Sequence, residues 1–79
     1  MAVEVGASLK RYRTELAPKV SQERMSKRAG VVLQTYRGAE AGGNCRYSTA
    51  KAILHALNSE RSARNMIALG LDDLGLRIV

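Results

Sequence analysis

The sequence predicts an all-α fold, a compact domain of five helices. Three observations lead there. Apolar residues recur at three- and four-residue spacing along most of the chain. No alternating strand pattern appears outside the C-terminal tail, where Leu76-Arg77-Ile78 is too short to assign. Helix-breaking residues punctuate the periodic stretches at Pro18, Gly30 and Gly42-Gly43. A length of 79 residues is expected to make one domain, residues 1–79. With no Phe, no Trp and three Tyr, its core must be mostly aliphatic.

Leu9, Tyr12 and Leu16 share one face of a first helix near 6–16, with Lys10, Arg11 and Arg13 between them. Pro18 cannot continue it, because proline removes a backbone donor and clashes with the preceding turn. Ser21 reads as the N-cap of a second helix near 22–29, its hydroxyl accepting from an orphan amide of the first turn. Gly30 suits the left-handed residue that ends it. A third helix runs from about Val32 to Ala41 and stops at Gly42-Gly43-Asn44. Ser48 or Thr49 opens a fourth, with Tyr47, Ala50, Ile53, Leu54 and Leu57 as its inward stripe. Ser59 is expected to cap a fifth near 60–69, with Ala63, Met66 and Ile67 inward. Leu71, Leu74, Leu76, Ile78 and Val79 form an apolar tail. Leu71 and Leu74 are expected to complete the core, and Ile78 and Val79 to lie nearer a dimer contact.

Thirteen Lys and Arg against seven Asp and Glu give a formal net charge of +6. The excess is concentrated. Lys10 to Lys51 holds ten basic and three acidic residues, whereas 52–79 is balanced. A polyanion, nucleic acid foremost, is the partner class this implies; a solvated basic face on an unrelated domain is the alternative. The single cysteine, Cys45, excludes an internal disulfide and points to a reducing cytoplasm. The chain opens without a basic-then-apolar signal pattern, and no apolar run approaches the roughly 20 residues of a membrane span.

The informative stretch is Ser21 to Glu40: two short helices joined by a tight turn at Gly30. Met25, Ala29, Val31, Tyr36 and Ala39 fall inward, and Ser26 is small where the helices would cross closely. Gln34, Arg37 and Gly38 fall on the opposite face. A short helix held across another, with a polar outer face and basic surroundings, can enter a major groove.

Ser21-Gln22-Glu23, then Ala29-Gly30-Val31, then a helix ending in Glu40 and followed within two residues by Gly42 resembles the lambda-repressor-like (Cro, phage-repressor or Xre) helix-turn-helix family. The resemblance covers roughly residues 8–58 and includes Leu9, Tyr12 and Arg13 and the Ile53-Leu54-x-Ala56-Leu57 stripe. It implies that Gln22 contacts a phosphate and braces the third helix. Leu33, Gln34 and Gly38 match positions facing base edges, with Val32 and Thr35 beside them and Arg37 adjoining. Glu40 matches a position that pairs with a first-helix arginine, here Arg13. The loop with Asn44 and Arg46 matches one that touches the DNA backbone. The sequence departs from the family where Tyr36 replaces an inward Ile or Val, where Gly38 lacks a reading side chain, and where two extra residues lie near Ala17-Pro18.

The function implied is sequence-specific binding of a double-stranded DNA operator by a homodimeric transcriptional regulator, a repressor acting by occupancy. An antitoxin gripping a toxin through the tail, and a protein-interaction module without DNA binding, are the alternatives. No enzyme, cofactor or metal site is expected: Cys45, His55 and Asp72-Asp73 have no partners at catalytic or ligand spacing. Cys45 reads as inert rather than as a redox sensor, and Arg24, Lys27 and Arg28 read chiefly as solvated surface.

Overall fold

A computed structural model of the protein describes residues 7–79; Gly6, placed in the first helix by periodicity, lies outside the described residues. Within them the fold is mostly helical, with four α-helices, α1 (Ala7–Thr14), α2 (Gln22–Ala29), α3 (Leu33–Glu40) and α4 (Tyr47–Ser62), a 3-10 turn (Leu71–Leu74), and a parallel two-stranded sheet of β1 (Asn44–Cys45) and β2 (Arg77–Ile78).

The predicted punctuation sets the first half. Ser21 caps α2, its Oγ accepting from the Arg24 amide at 3.0 Å. Gly30 sits at φ 72°, and the Gly30 and Val31 amides donate back to Lys27 and Ser26 carbonyls, which closes the helix end. Met25 and Ser26 on α2 and Tyr36 and Ala39 on α3 are buried, with Ala29 and Val31 packed against them. α1 ends two residues earlier than its stripe suggested, yet Leu16 remains buried in the turn beyond it. α3 starts one residue later, with Val32 as its N-cap.

The fifth helix does not form. α4 starts at Tyr47, runs through Ser59 and ends only at Ser62, so Ser59 is interior rather than a cap. Beyond it the backbone is captured by side chains of α4. Asn58 donates to the Leu69 carbonyl at 3.0 Å and accepts from the Leu69 amide at 2.8 Å; Arg61 Nε donates to the Ile67 carbonyl at 2.8 Å. Asn65, at φ 58°, turns the chain out of the helical path. Backbone groups satisfied in this way have no need of a helix. Of the residues expected inward, Met66 packs against the core, while Ala63 is exposed and Ile67 is 84% exposed. Tyr47, assigned to the α4 stripe, also faces out, at 56% exposure; the buried face of α4 is Ala50, Ile53, Ala56 and Leu57.

The tail folds onto the molecule. Leu74 is fully buried where the 3-10 turn meets α1 and α4, with Leu71 and Leu76 packed against the same core. Gly75, at φ 64°, ends that turn in a conformation that disfavours side chains. β2 then lies beside β1, Asn44 paired with Arg77 and Cys45 with Ile78, and the Val79 amide donates to the Cys45 carbonyl at 3.0 Å. This sheet had no counterpart in the predicted elements.

Candidate nucleic-acid interface

α3 is braced from behind. Arg13 Nε and Nη2 donate to the two carboxylate oxygens of Glu40 at 2.6 and 3.1 Å, and Arg13 Nη1 donates to the Val20 carbonyl at 3.0 Å. The Glu40 side chain is 3% exposed. Gln22 Nε2 donates to Glu40 Oε1 at 3.0 Å, which ties the start of α2 to the end of α3. Burial alone would push the Glu40 carboxyl up; the hydrogen bonds from Arg13 and Gln22 outweigh it and hold the group below its ordinary value. Tyr36, the departure from an inward Ile or Val, is wholly buried beside this cluster. Its hydroxyl is close enough to Glu40 to interact but makes no well-formed hydrogen bond, and burial raises its pKa far above the usual range. The ring is therefore a neutral core wedge.

With its back fixed, α3 turns Gln34, Thr35 and Arg37 to the exterior, together with Val32 at its N-cap, which is 68% exposed. Leu33 and Gly38 are half-buried. A Cβ at Gly38 would meet nothing within 4 Å, so the missing side chain leaves open space on this face. The loop that follows folds back onto the helix end: the Gly43 amide donates to the Gly38 carbonyl at 2.8 Å, and a Cβ at Gly43 would come within 3.1 Å of that oxygen. This close approach brings Thr35, Asn44, Cys45, Arg46 and Thr49 to the lining of one groove. Arg46 is also the N-cap of α4 and provides no side-chain cap, while the first intrahelical bond there is the Ala50 amide to the Arg46 carbonyl. The amides of residues 47–49 are left free of intrahelical partners at the groove's edge.

The ion pairs divide the cations into two sets. Glu15, Glu23, Glu40 and Glu60 engage Arg61, Lys27, Arg13 and a trio of Arg24, Arg28 and Arg64. By contrast, seven cations make no ion pair with any described acid: Lys10, Arg11 and Lys19, on α1 and the segment after it, and Arg37, Arg46, Lys51 and Arg77, on α3, the loop after it, the start of α4, and β2. Lys51 instead lies 5.5 Å from the ring of the exposed Tyr47.

Glu60 was not distinguished in the sequence. Its carboxylate is 2% exposed and receives Arg24 Nε at 3.1 Å, Arg28 Nε at 3.4 Å and Arg64 Nη1 at 2.9 Å. Arg24 and Arg28 stay exposed, at 61% and 42% of their side chains, and reach this buried anion from the surface. The signal was available in helical spacing: Glu60 extends the α4 face of Ile53, Ala56 and Leu57, where an isolated carboxylate needs cations. Cys45 is buried, and burial raises its thiol pKa, consistent with the inert reading. Among the described residues no three of His, Cys, Asp and Glu stand together as metal donors, and no helix is long and apolar enough to cross a membrane. Comparisons of the chain with protein-family models, with curated proteins and with solved structures found no match in any of the three.

Proposed function

We propose that the protein binds double-stranded DNA through α2, the Gly30 turn and α3 acting as a helix-turn-helix, and regulates transcription by occupying an operator as a homodimer. The observation that carries this reading is that the outer face of α3 and the loop after it carry cations and none of the paired glutamates. The glutamates that pair within the fold are spent on Arg13, Arg24, Lys27, Arg28, Arg61 and Arg64, away from the outer face of α3 and the Asn44–Arg46 loop. Arg37 and Arg46 are left exposed without an acid, beside Gln34 and Asn44, whose amides can hydrogen-bond base edges and phosphates. Free amides at the start of α4 suit a phosphate in the same groove. The apolar tail is largely occupied within the chain's own fold, which favours a free-standing regulator over an antitoxin that must offer Leu71 to Val79 to a toxin. Ile78, 40% exposed, and Val79, 73% exposed, are what it leaves for a dimer contact.

Selection of bound duplexes from a random pool tests the reading. The expected product is a two-fold symmetric site with half-sites about 34 Å apart, one turn of DNA. Gln34→Ala should then weaken operator binding by about 1–3 kcal/mol and relax preference at one position. Equal loss on operator and random duplex would remove Gln34 from base reading. A chain that enriches no sequence and binds duplex with no salt dependence is not a DNA regulator.

A further inference from the structure

We infer that Arg77, on the C-terminal strand, is a phosphate-contacting residue of the DNA interface, so that this surface is assembled from two segments remote in sequence. The inference rests on the DNA-binding reading above and extends it to a residue outside the stretch that carried it. Side chains alternate along a strand and laterally paired residues share a face. Cys45 is buried, whereas Asn44 before it in β1 and Arg46 just beyond the strand are both exposed. The parallel pairing sets Arg77 opposite Asn44, and Arg77 is exposed as well. Arg77 therefore lies beside Asn44, which lines a groove with Thr35 of α3, Cys45, Arg46 and Thr49 of α4.

Arg46 and Arg77 are both exposed, and neither makes an ion pair with a described acid. A bound anion beside either supplies the missing counter-charge. A DNA backbone offers phosphates in a row, which suits donors spread over α3, the loop and β2 better than a single small anion would. The placement of Arg77 is rigid rather than incidental. Leu74 anchors the chain in the core, Gly75 redirects it, and the Val79 amide locks to the Cys45 carbonyl, so the strand is held on both sides of Arg77.

The test is binding of the full chain to a random-sequence duplex across a salt series, by fluorescence anisotropy, for the wild type, Arg77→Gln, Arg77→Lys and Arg46→Gln. Each neutralised phosphate contact contributes about 0.9 to the slope of log K against log salt. Arg77→Gln should lower the slope by about 1 and weaken binding several-fold at low salt, as Arg46→Gln should, while Arg77→Lys keeps the slope. Helicity by circular dichroism should be unchanged, since the pairing of β2 uses its backbone. If Arg46→Gln lowers the slope and Arg77→Gln does not, the role of Arg77 is overturned and the DNA reading stands. A wild type that binds duplex without salt dependence overturns both.

Discussion

Arg13 joins three segments at once. It grips Glu40 at the end of α3 with two hydrogen bonds, holds the Val20 carbonyl ahead of α2, and projects from α1. Such a pair is costly to break singly, because the remaining charge stays buried without its partner. Arg13→Leu or Glu40→Leu should each lose about 3 kcal/mol, and the double substitution less than the sum. Thermal melts of the two single variants and the double variant measure this, and additive losses would mean that the pair contributes no coupling. Tyr36 illustrates the same scale differently. Its ring fills an inward position of α3, with its hydroxyl in a neutral, buried state next to the ion pair.

At the scale of elements, α3 is short and carries Gly38 in its interior. Glycine there costs about 1 kcal/mol relative to alanine, and the space around its missing Cβ is empty. Gly38→Ala should therefore raise stability by up to about 1 kcal/mol. For a domain of this size that is a rise in Tm of about 4–8 °C, readable by circular dichroism. No change or a fall in Tm would show that the helix end needs the freedom of glycine. Gly43→Ala should do the opposite, since its Cβ would press on the Gly38 carbonyl. The pair of substitutions separates a helical cost from a packing constraint in the same turn. The segment after α4 shows how an element can be displaced. Asn58 and Arg61 bind the backbone of residues 67 and 69, and the residues that would have extended into a fifth helix lie instead as a strap.

Across the whole molecule, two buried carboxylates are held ionised by arginines from other segments. Glu40 links α1 to α3, and Glu60 links α4 to α2 and to Arg64, which in turn donates to the Ala17 and Pro18 carbonyls. For both, burial raises the pKa and the hydrogen bonds and charges of their arginines overcome it, leaving the group below the ordinary value of 4.5. The unfolded chain then binds protons first as pH falls. Their contribution to stability is complete above about pH 4.5 and is lost as pH drops through the depressed native values. Denaturant unfolding at pH 7 and pH 3 should show the loss, with a smaller change in Glu60→Gln than in the wild type. Equal stability at both pH values would contradict the ionised state of these groups.

The sequence by itself determined the first four helices and their punctuation, because those signals are local. Ser21 caps within three residues, Gly30 closes a turn within four, and apolar spacing reports a helix face wherever the helix lies. The same locality made legible the pairing position of Glu40, through the resemblance, and the outward direction of Gln34, Thr35 and Arg37. Residues 63–79 were decided by tertiary structure. Their apolar residues fit a helical stripe or a packed tail equally well, and only the side chains of Asn58 and Arg61 settle which backbone bonds they make. β2 forms because burial of Leu74 and the turn at Gly75 bring residue 77 beside residue 44, a contact with no local precursor in either segment. The partition of thirteen cations into paired and unpaired sets was likewise beyond composition, since it depends on where Glu15, Glu40 and Glu60 meet arginines from distant helices.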